Sequence, residues 1–217
     1  MKKINIGQED PCTRSTLEKV SDLLMSGKVG VIPTATIYGL SCVYDNEDAV
    51  KKIYSIKKRK SGTPFIVLIS SISQLGTLAS KINDPVKKLI RKYWDTKKPY
   101  PLTLILAKNE STGSFITGGR STIAIRVAGL KAIRDIIDRT GPIVSTSATL
   151  SGTMLQPTTL DEVPLEIRQK ADFVVDYSSG LGGRESTIVD LTDKEPVLLR
   201  QGAVDYDILS SDFKMYK

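Results

Sequence analysis

The chain of 217 residues contains no histidine. Its absence excludes a Ser–His–Asp triad, a histidine metal cluster and an imidazole proton shuttle. We therefore expect the chemistry to rely on cations, hydroxyls and backbone N–H groups, with a metal–phosphate contact as a further option. Such groups suit reactions of charged phosphates better than the hydrolysis of peptides or esters.

Cysteine and long apolar segments are also scarce. The two cysteines, Cys12 and Cys42, are too few for a disulfide framework or a zinc site, so we expect reduced thiols in a cytosolic protein. No apolar run approaches the length of a membrane span, and residues 1–5 lack the apolar core of a signal peptide. With 40% hydrophobic and 25% charged residues, the length predicts one well-buried α/β domain.

Positive charge is in excess. The formal net charge is +7 and the isoelectric point is about 9.3. A polyanionic partner, such as a nucleotide or RNA, is consistent with this excess, although many basic proteins never bind nucleic acid.

The most informative stretch runs from Val29 to Arg59. Residues 29–32 form an apolar run that predicts a buried strand ending at Pro33, and hydroxyl-bearing residues follow. In open α/β sheets, ligands bind beyond the carboxyl ends of strands. A helical pattern then ends in a basic cluster containing Lys57 and Arg59. Alone, this cluster is typical of a helix end that complements the helix dipole; next to the hydroxyls, it predicts an anion pocket.

The remaining hydrophobic patterns predict strands and helices that are interleaved without strict alternation, which favours a mixed sheet. Further strands are expected at residues 65–69, 102–107, 122–127, 143–147, 173–176, 187–191 and 197–200. Helices are expected at residues 15–26, 72–79, 85–94 and 131–139. Capping signals are expected at Ser15 and Asp84, with a further capping box at residues 159–162.

Several predicted strands end in hydroxyls or arginine. Residues 143–152 end in a dense run of Ser and Thr, which can donate to anions without adding charge, although such runs are also common in turns. Arg126 alternates in phase with Thr122 and Ala124, so all three are expected on one side of their strand. Any single arginine of this kind could form a surface salt bridge; several together indicate a binding site.

Glycine-rich loops give no dinucleotide or P-loop site. Residues 113–121 have Gly119 where a P-loop requires lysine, and they precede a strand instead of a helix. No G-x-G-x-x-G motif occurs between a strand and a helix, so NAD is not expected.

Five motifs, in order, resemble those of the YrdC/TsaC family, the threonylcarbamoyl-AMP synthases. Residues 33–40 resemble P-T-D/E-T-V-Y-G-L and residues 57–59 resemble K-x-R. Residues 147–152 resemble S-A-N-L-S-G, residues 186–190 resemble S-T-I/V-V-D, and residues 200–202 resemble R-P-G. The chain departs from the pattern at Ala35, where the family has an acid, and at Thr149, where it has asparagine.

The resemblance implies an α/β fold with a single open, twisted, mixed sheet flanked by helices and a basic concave cavity. It implies one domain over residues 1–217, with a motif-bearing core at about 15–204. Residues 1–14 and 205–217 are then terminal extensions. The chain resembles the short form of the family, which lacks an additional C-terminal domain.

The resemblance also implies a reaction and its partners. L-threonine, bicarbonate (or CO2) and ATP, with Mg2+ on the phosphates, would give threonylcarbamoyl-AMP and pyrophosphate. The product would serve threonylcarbamoyladenosine modification of tRNA in the cytoplasm, through downstream transfer proteins. Contact with tRNA or other RNA is a further expectation.

Roles for individual residues follow from the same resemblance. Lys57 and Arg59 would be catalytic, and no protein metal ligand is expected. The nucleotide would be bound by Lys57, Arg59, Thr63, Ser147, Thr149 and Arg200. Threonine would be bound by Thr34, Thr36, Tyr38, Thr122, Arg126 and Ser186, with Arg126 as the bidentate partner of its carboxylate.

Two alternatives stay open at the level of sequence. The first is a non-catalytic module of the same fold that binds double-stranded RNA or tRNA through its basic cavity. The second is a carbamoyl-transferring domain of the kind found in larger hydrogenase-maturation proteins. The absence of an acylphosphatase-like or zinc-finger segment argues against the second.

Overall fold

A ten-stranded mixed sheet runs through the molecule, with strand order β1-β8-β2-β3-β7-β4-β6-β5-β9-β10. The structure is a computed structural model and describes residues 2–6, 14–193 and 195–215. The strands are β1 (Lys2–Ile6), β2 (Gly30–Pro33), β3 (Tyr38–Val43), β4 (Ile66–Ile69), β5 (Leu102–Ala107), β6 (Thr122–Val127), β7 (Ile143–Ser147), β8 (Phe173–Tyr177), β9 (Thr187–Asp190) and β10 (Val197–Arg200).

Helices pack on this sheet. They are α1 (Arg14–Met25), α2 (Glu47–Lys57), α3 (Leu75–Leu78, after a 3-10 turn at Ile72–Gln74), α4 (Asp84–Trp94), α5 (Ser114–Thr117), α6 (Lys131–Thr140), α7 (Leu165–Lys170) and α8 (Tyr206–Met215). Within the described residues, no helix is both long enough and apolar enough to cross a membrane.

Successive residues of the central strands belong to two different hydrophobic clusters. Val31 and Val67 pack in the cluster that contains α2 and α4, whereas the next residues, Ile32 and Leu68, pack in the cluster that contains α1 and α6. Because side chains alternate across a strand, the two clusters lie on opposite faces of the sheet. The expected mixed sheet flanked by helices is therefore confirmed.

The predicted strands are confirmed, four of them with the expected bounds (β5, β6, β7 and β10). Two strands were not predicted. β1 pairs in parallel with β8, and β3 pairs antiparallel with both β2 and β7. The hydroxyls after Pro33 therefore lie in a hairpin loop and not on a crossover to a helix. β3 begins at Tyr38, directly after this turn. For this reason its sequence was interpreted as a continuation of the loop.

Two predicted helix caps are wrong. Ser15 lies inside α1, which begins at Arg14. α4 is capped by Asn83, whose Oδ1 accepts a hydrogen bond from the N–H of Val86 at 3.0 Å, and not by Asp84. Placing Asn83 at the cap moves the Asp84 carboxylate into the first turn, where it complements the helix dipole and pairs with Lys87 at 2.8 Å.

The capping box predicted at residues 159–162 is also wrong. Glu162 accepts hydrogen bonds from the N–H groups of Thr158 and Thr159 at 2.6 and 3.4 Å, but the segment is a turn and α7 starts only at Leu165. Pro164 explains the difference, because proline disfavours the helical conformation in the residue before it.

α8 is joined to α4 through one buried carboxylate. Asp212 is 2% exposed and accepts hydrogen bonds from Lys92 Nζ at 2.7 Å and from the Tyr93 hydroxyl at 2.6 Å. Burial alone would raise the pKa of Asp212, but these two donors outweigh it and hold the pKa below its ordinary value.

We expect Asp212→Ala to lower the free energy of unfolding by about 2–4 kcal/mol, because it removes a buried carboxylate together with the two hydrogen bonds that it accepts. Urea unfolding at pH 7 measures this. Asp207→Ala, an exposed residue in the first turn of the same helix, is the matched control and should change stability by less than about 0.5 kcal/mol. Equal effects of the two variants would contradict the prediction.

Candidate functional site

A cavity of about 640 Å³ lies where the hairpin loop, the end of α2 and the ends of several strands meet. Of the residues predicted for the site, all but Thr122 line it. They are Thr34, Thr36, Tyr38, Lys57, Arg59, Thr63, Arg126, Ser147, Thr149, Ser186 and Arg200. Thr122 lies at the start of β6, opposite Ala107, whereas Ala124 and Arg126 of the same strand line the cavity. Four residues of strand, or roughly 13 Å, separate Thr122 from Arg126.

The hairpin loop between β2 and β3 holds its hydroxyls by local bonds. Thr34 Oγ1 donates to the carbonyl of Ile37 at 2.7 Å and lies 3.1 Å from Thr36 Oγ1. Ala35 turns the chain between them with a φ of 70°, in the left-handed region. Both threonines are thereby fixed and buried at the cavity wall.

Tyr38 begins β3 and has its ring in the core. Its hydroxyl accepts a hydrogen bond from the N–H of Tyr177 at 2.9 Å, on β8, and burial raises its pKa to about 12. The hydroxyl is thus committed to the sheet. This bond supports the hairpin from behind.

Lys57 and Arg59 both reach the cavity because the residue between them reverses the chain. Lys58, the C-cap of α2, has a left-handed backbone with a φ of 51°, and its side chain pairs with Glu166 at 3.0 Å, on α7. The spacing of the two cations therefore has a geometric cause. The left-handed residue directs its own side chain away and brings its two neighbours to one side.

Lys57 joins α2 to the loop after β7. Lys57 is 3% exposed, and its Nζ donates to the carbonyls of Ser147 and Thr149, the latter at 2.6 Å, and to Ser147 Oγ at 3.2 Å. Burial, helped by the nearby charge of Arg59, lowers the pKa of Lys57 to about 8, and Glu185 opposes this shift. Lys57 is therefore a buried cation on the wall of the cavity.

Arg59 is held flat against one side of the cavity. Its guanidinium donates to Thr146 Oγ1 at 2.8 Å and to the carbonyl of Pro64 at 3.0 Å, and it lies 5.1 Å from the centre of the Phe65 ring. Thr63, which also lines the cavity, donates to the carbonyl of Lys60 at 2.8 Å and so shapes the turn that leads to Pro64. Arg59 forms no ion pair with any described residue, so its charge faces the cavity uncompensated.

Arg126, on β6, is 6% exposed, and it too has no carboxylate partner among the described residues. Its guanidinium donates to Thr36 Oγ1 at 3.2 Å and to the carbonyl of Thr34 at 3.4 Å, while its Nε has no hydrogen-bond partner there. Burial, with the nearby charge of Arg200, lowers its pKa to about 10, still well above neutrality. A buried, charged fork with free donors is the arrangement that binds a carboxylate.

Arg200, at the end of β10, holds Ser186 and Glu185. It donates to the carbonyl and Oγ of Ser186, both at 3.0 Å, and pairs with Glu185 at 2.7 Å. Within the described part of the chain, Glu185 is the one acidic residue that lines the cavity. Sequence reasoning did not single it out. Its position directly before Ser186 was the available signal.

Thr149 replaces the asparagine of the family pattern without losing the bond to Lys57, because that bond uses its backbone carbonyl. Its side-chain Oγ1 lies 3.1 Å from Ser147 Oγ, and the residue is 2% exposed. The Thr149 hydroxyl thus holds the Ser147 hydroxyl in place through this hydrogen bond.

We expect Thr149→Val to lower the free energy of unfolding by about 1 kcal/mol, since it removes one hydrogen bond and keeps the shape. Thr149→Ser retains the hydroxyl and is the control. It should lose as much stability as Thr149→Val only if packing of the methyl group, and not the hydrogen bond, dominates. Urea unfolding of both variants separates the two causes. A larger loss for Ser than for Val would contradict a role for the hydroxyl.

No group of three or more acidic, cysteine or histidine side chains lies close enough to hold a metal ion, within residues 2–6, 14–193 and 195–215. Cys42 is buried, which raises the pKa of its thiol, and Cys12 lies outside the described residues.

Comparison with known proteins places this chain in a family. The Sua5/YciO/YrdC family model, described as telomere recombination, matches residues 22–202. The chain belongs to this family. Family members that are 36% and 37% identical to it, over 182 and 190 residues, are the threonylcarbamoyl-AMP synthases of Pyrococcus abyssi and Bacillus subtilis.

The fold of the family is shared along nearly the whole chain. The crystal structure of P. abyssi Sua5 complexed with L-threonine matches with a TM-score of 0.90 and 32% identity, covering 98% of this chain and 61% of that one. The P. abyssi and B. subtilis alignments cover 83% and 87% of this chain but 52% and 54% of those proteins. The chain thus spans about half the length of these two family members.

Proposed function

We propose that this protein is a threonylcarbamoyl-AMP synthase, a nucleotidyltransferase that joins L-threonine, bicarbonate (or CO2) and ATP and releases pyrophosphate. The observation that carries the proposal is a single cavity in which Lys57, Arg59, Arg126 and Arg200 converge with only one acid of the described residues, Glu185. The names of the related synthases and the threonine complex of P. abyssi Sua5 support it.

Two anionic reactants explain the excess of cations. Threonine carbamate carries a carboxylate and a carbamate, and its carbamate oxygen must attack an α-phosphate that is itself negative. Arg126 would bind the amino-acid carboxylate through its fork, with Thr34, Thr36 and Ser186 around it. Such an arrangement fixes the nucleophile at one end of the cavity.

The nucleotide would occupy the other end. Arg59 offers uncompensated charge to the phosphates, and Lys57 stabilises both the loop of Ser147 and Thr149 and the charge that develops on pyrophosphate. Arg200, which donates to Ser186 of the threonine end, would lie between the two ends and offer its charge to the nucleotide. No protein base with a pKa near 7 is needed if the free amine of threonine reacts with CO2.

Mg2+ would be held mainly by the phosphates of ATP, because the described residues supply one carboxylate to the cavity and that one is paired with Arg200. When bound, it would neutralise charge on the departing pyrophosphate. The hydroxyls and cations of the chain would orient the phosphates around it.

Pyrophosphate release tests the proposal. We expect release that requires ATP, L-threonine and bicarbonate together, measured while each component is omitted in turn. Release that ignores threonine would contradict the proposed substrate. Salt-sensitive RNA binding without any pyrophosphate release would instead favour the non-catalytic RNA-binding alternative.

The adenylate would then be consumed by transfer proteins that modify adenosine in tRNA. We propose a cytoplasmic setting, because ATP and tRNA are both available there. Direct contact with tRNA is consistent with the net charge of +7.

ATP binding should be coupled to proton uptake through Lys57. The phosphates favour the charged ammonium and raise its pKa from about 8, so at pH 8.5 binding should take up roughly three-quarters of a proton. Calorimetry in two buffers of different ionisation enthalpy measures this uptake, which Lys57→Met should abolish. Equal uptake in the variant would assign the proton to another group.

The lowered pKa of Lys57 also determines how the stability of the fold changes with pH. Because the pKa of Lys57 is lower in the folded than in the unfolded chain, the unfolded chain binds more protons between about pH 8 and 10.5. The cost of burying this charge is thus fully present below pH 8. It diminishes as the pH rises through that interval.

A further inference from the structure

The start of β9 and the segment that follows β10 lie against each other beside the cavity. Residues 185–187 and 200–204 form this unit, the clasp. Ile188, the second residue of β9, lines the cavity, whereas Thr187 does not. Because side chains alternate along a strand, Thr187 points away from the cavity. The residues of the clasp that do line the cavity are Glu185, Ser186 and Arg200.

One buried hydroxyl joins the two halves of the clasp. Thr187 is fully buried, and its Oγ1 accepts hydrogen bonds from the N–H groups of Gly202 and Val204, both at 3.0 Å. The same hydroxyl donates to the carbonyl of Val204. Because a threonine hydroxyl has one proton and two lone pairs, all of its hydrogen-bonding capacity is used. These three bonds fix the path of residues 202–204.

The backbones of the two halves are in direct contact. The N–H of Ala203 donates to the carbonyl of Glu185 at 2.9 Å. A methyl group on Gly202 would lie 2.4 Å from the Glu185 carbonyl oxygen and equally close to backbone atoms of the next two residues. Because no side chain fits between the two segments, a shift of residues 202–204 must move residues 185–187 as well.

The groups that face the cavity depend on this arrangement. Arg200 donates through Nε to the carbonyl of Ser186 and through Nη2 to its Oγ, both at 3.0 Å. Ser186 Oγ also lies 2.8 Å from Thr103 Oγ1, a buried hydroxyl of β5. These bonds tie Arg200 to the residue directly before Thr187. The positions of the guanidinium and of the Ser186 hydroxyl are therefore set together.

We propose that Thr187 is a positioning residue, which holds Ser186 and Arg200 in place for threonine and ATP without touching either substrate. This inference rests on the proposed function, in which Ser186 binds threonine and Arg200 offers its charge to the nucleotide. Loosening of the clasp displaces both groups at once, and small displacements of groups that position substrates slow a reaction strongly. Thr187 therefore affects both substrates from outside the cavity.

Thr187→Val removes the hydroxyl and keeps the size and branching of the side chain. We expect it to lower kcat/KM about 30-fold for L-threonine and for ATP alike. Pyrophosphate release, measured at a temperature at which the variant is fully folded, gives both constants. Thr187→Ser keeps the hydroxyl and should restore both to within about threefold of the unaltered protein. A purely structural role would lower the urea midpoint of Thr187→Val and leave both constants unchanged, which would overturn the inference.

Thr112→Val is the matched control. Thr112 is buried, donates to the carbonyl of Leu78 at 3.1 Å and does not line the cavity. Its replacement should lower the urea midpoint, because a buried hydrogen bond is lost, yet keep kcat/KM for both substrates within about twofold. Equal kinetic losses in Thr112→Val and Thr187→Val would overturn the inference, since general loosening of the fold would then be the cause.

Gly202→Ala tests the clasp from its other half, without any change at the hydroxyl. The added methyl group must push residues 202–204 away from residues 185–187, so the same paired loss for threonine and ATP is expected. A loss confined to one substrate in both Gly202→Ala and Thr187→Val would overturn the inference, while the proposed function would stand. If the unaltered protein releases no pyrophosphate, the proposed function fails and the inference fails with it.

Discussion

Arg126→Met is expected to reduce kcat/KM for L-threonine by about 100- to 1000-fold. Arg126 is the buried fork whose free donors face no carboxylate of the described chain, so a neutral side chain of similar length removes two charged hydrogen bonds to the substrate. The loss should appear mainly as a raised KM for threonine, with ATP affinity changed far less. Steady-state pyrophosphate release with threonine and ATP varied separately measures both effects.

Two controls separate binding from folding in this variant. Arg126→Lys keeps the charge but not the planar fork, and it should recover only part of the loss. Arg139→Ala removes an arginine that pairs with Glu18 at 3.4 Å on the surface, and it should leave kinetics within about twofold. If Arg126→Met bound threonine normally, the carboxylate would have to lie elsewhere.

Lys57→Met is expected to lower pyrophosphate release about 1000-fold and to destabilise the fold as well. The chemical loss reflects the missing cation at the developing charge. The structural loss, about 1–3 kcal/mol, arises because the carbonyls of Ser147 and Thr149 lose their shared donor in a buried region. Removal of a buried charge offsets part of that cost. Urea unfolding and single-turnover assays at 15 °C report the two losses separately.

Lys58→Asn is the matched control for Lys57. It removes a positive charge from the adjacent residue, whose side chain points away to Glu166, and asparagine accepts the left-handed backbone there. Its pyrophosphate release should stay within about threefold of the unaltered protein. An equal loss in both variants would mean that total charge, and not the position of Lys57, governs the reaction.

Apolar patterns were sufficient to predict most of the sheet. Residues 102–107 and 143–147 form strands with the expected bounds because they are buried on both faces or alternate cleanly. β3 was missed because it begins directly after a turn, so the apolar pattern does not mark its first residue. α8 was missed because its packing depends on Asp212 reaching residues 92 and 93, a long-range contact that no local pattern encodes.

The sequence predicted which residues form the site more readily than how those residues are arranged. The motifs identified residues that do converge, but they could not indicate that the Tyr38 hydroxyl bonds to β8 or that Thr149 serves Lys57 through its backbone. Thr122 was included because period-two alternation gives the side of a strand and not the distance along it. Glu185 is recognised as a residue of the cavity only when β9 and β10 are assembled, because its partner Arg200 lies at the end of β10.

The order of the strands has a consequence for synthesis of the protein. Lys57 bonds to residues 147 and 149, Arg126 to residue 36, and Arg200 to residue 186, and β9 enters the sheet beside β5. A nascent chain that has emerged only as far as Ser151 already carries Lys57, Arg59 and Arg126, yet it lacks the two strands that close the cavity. We therefore expect the complete cavity, and full stabilisation by its ligands, only after translation has passed Arg200.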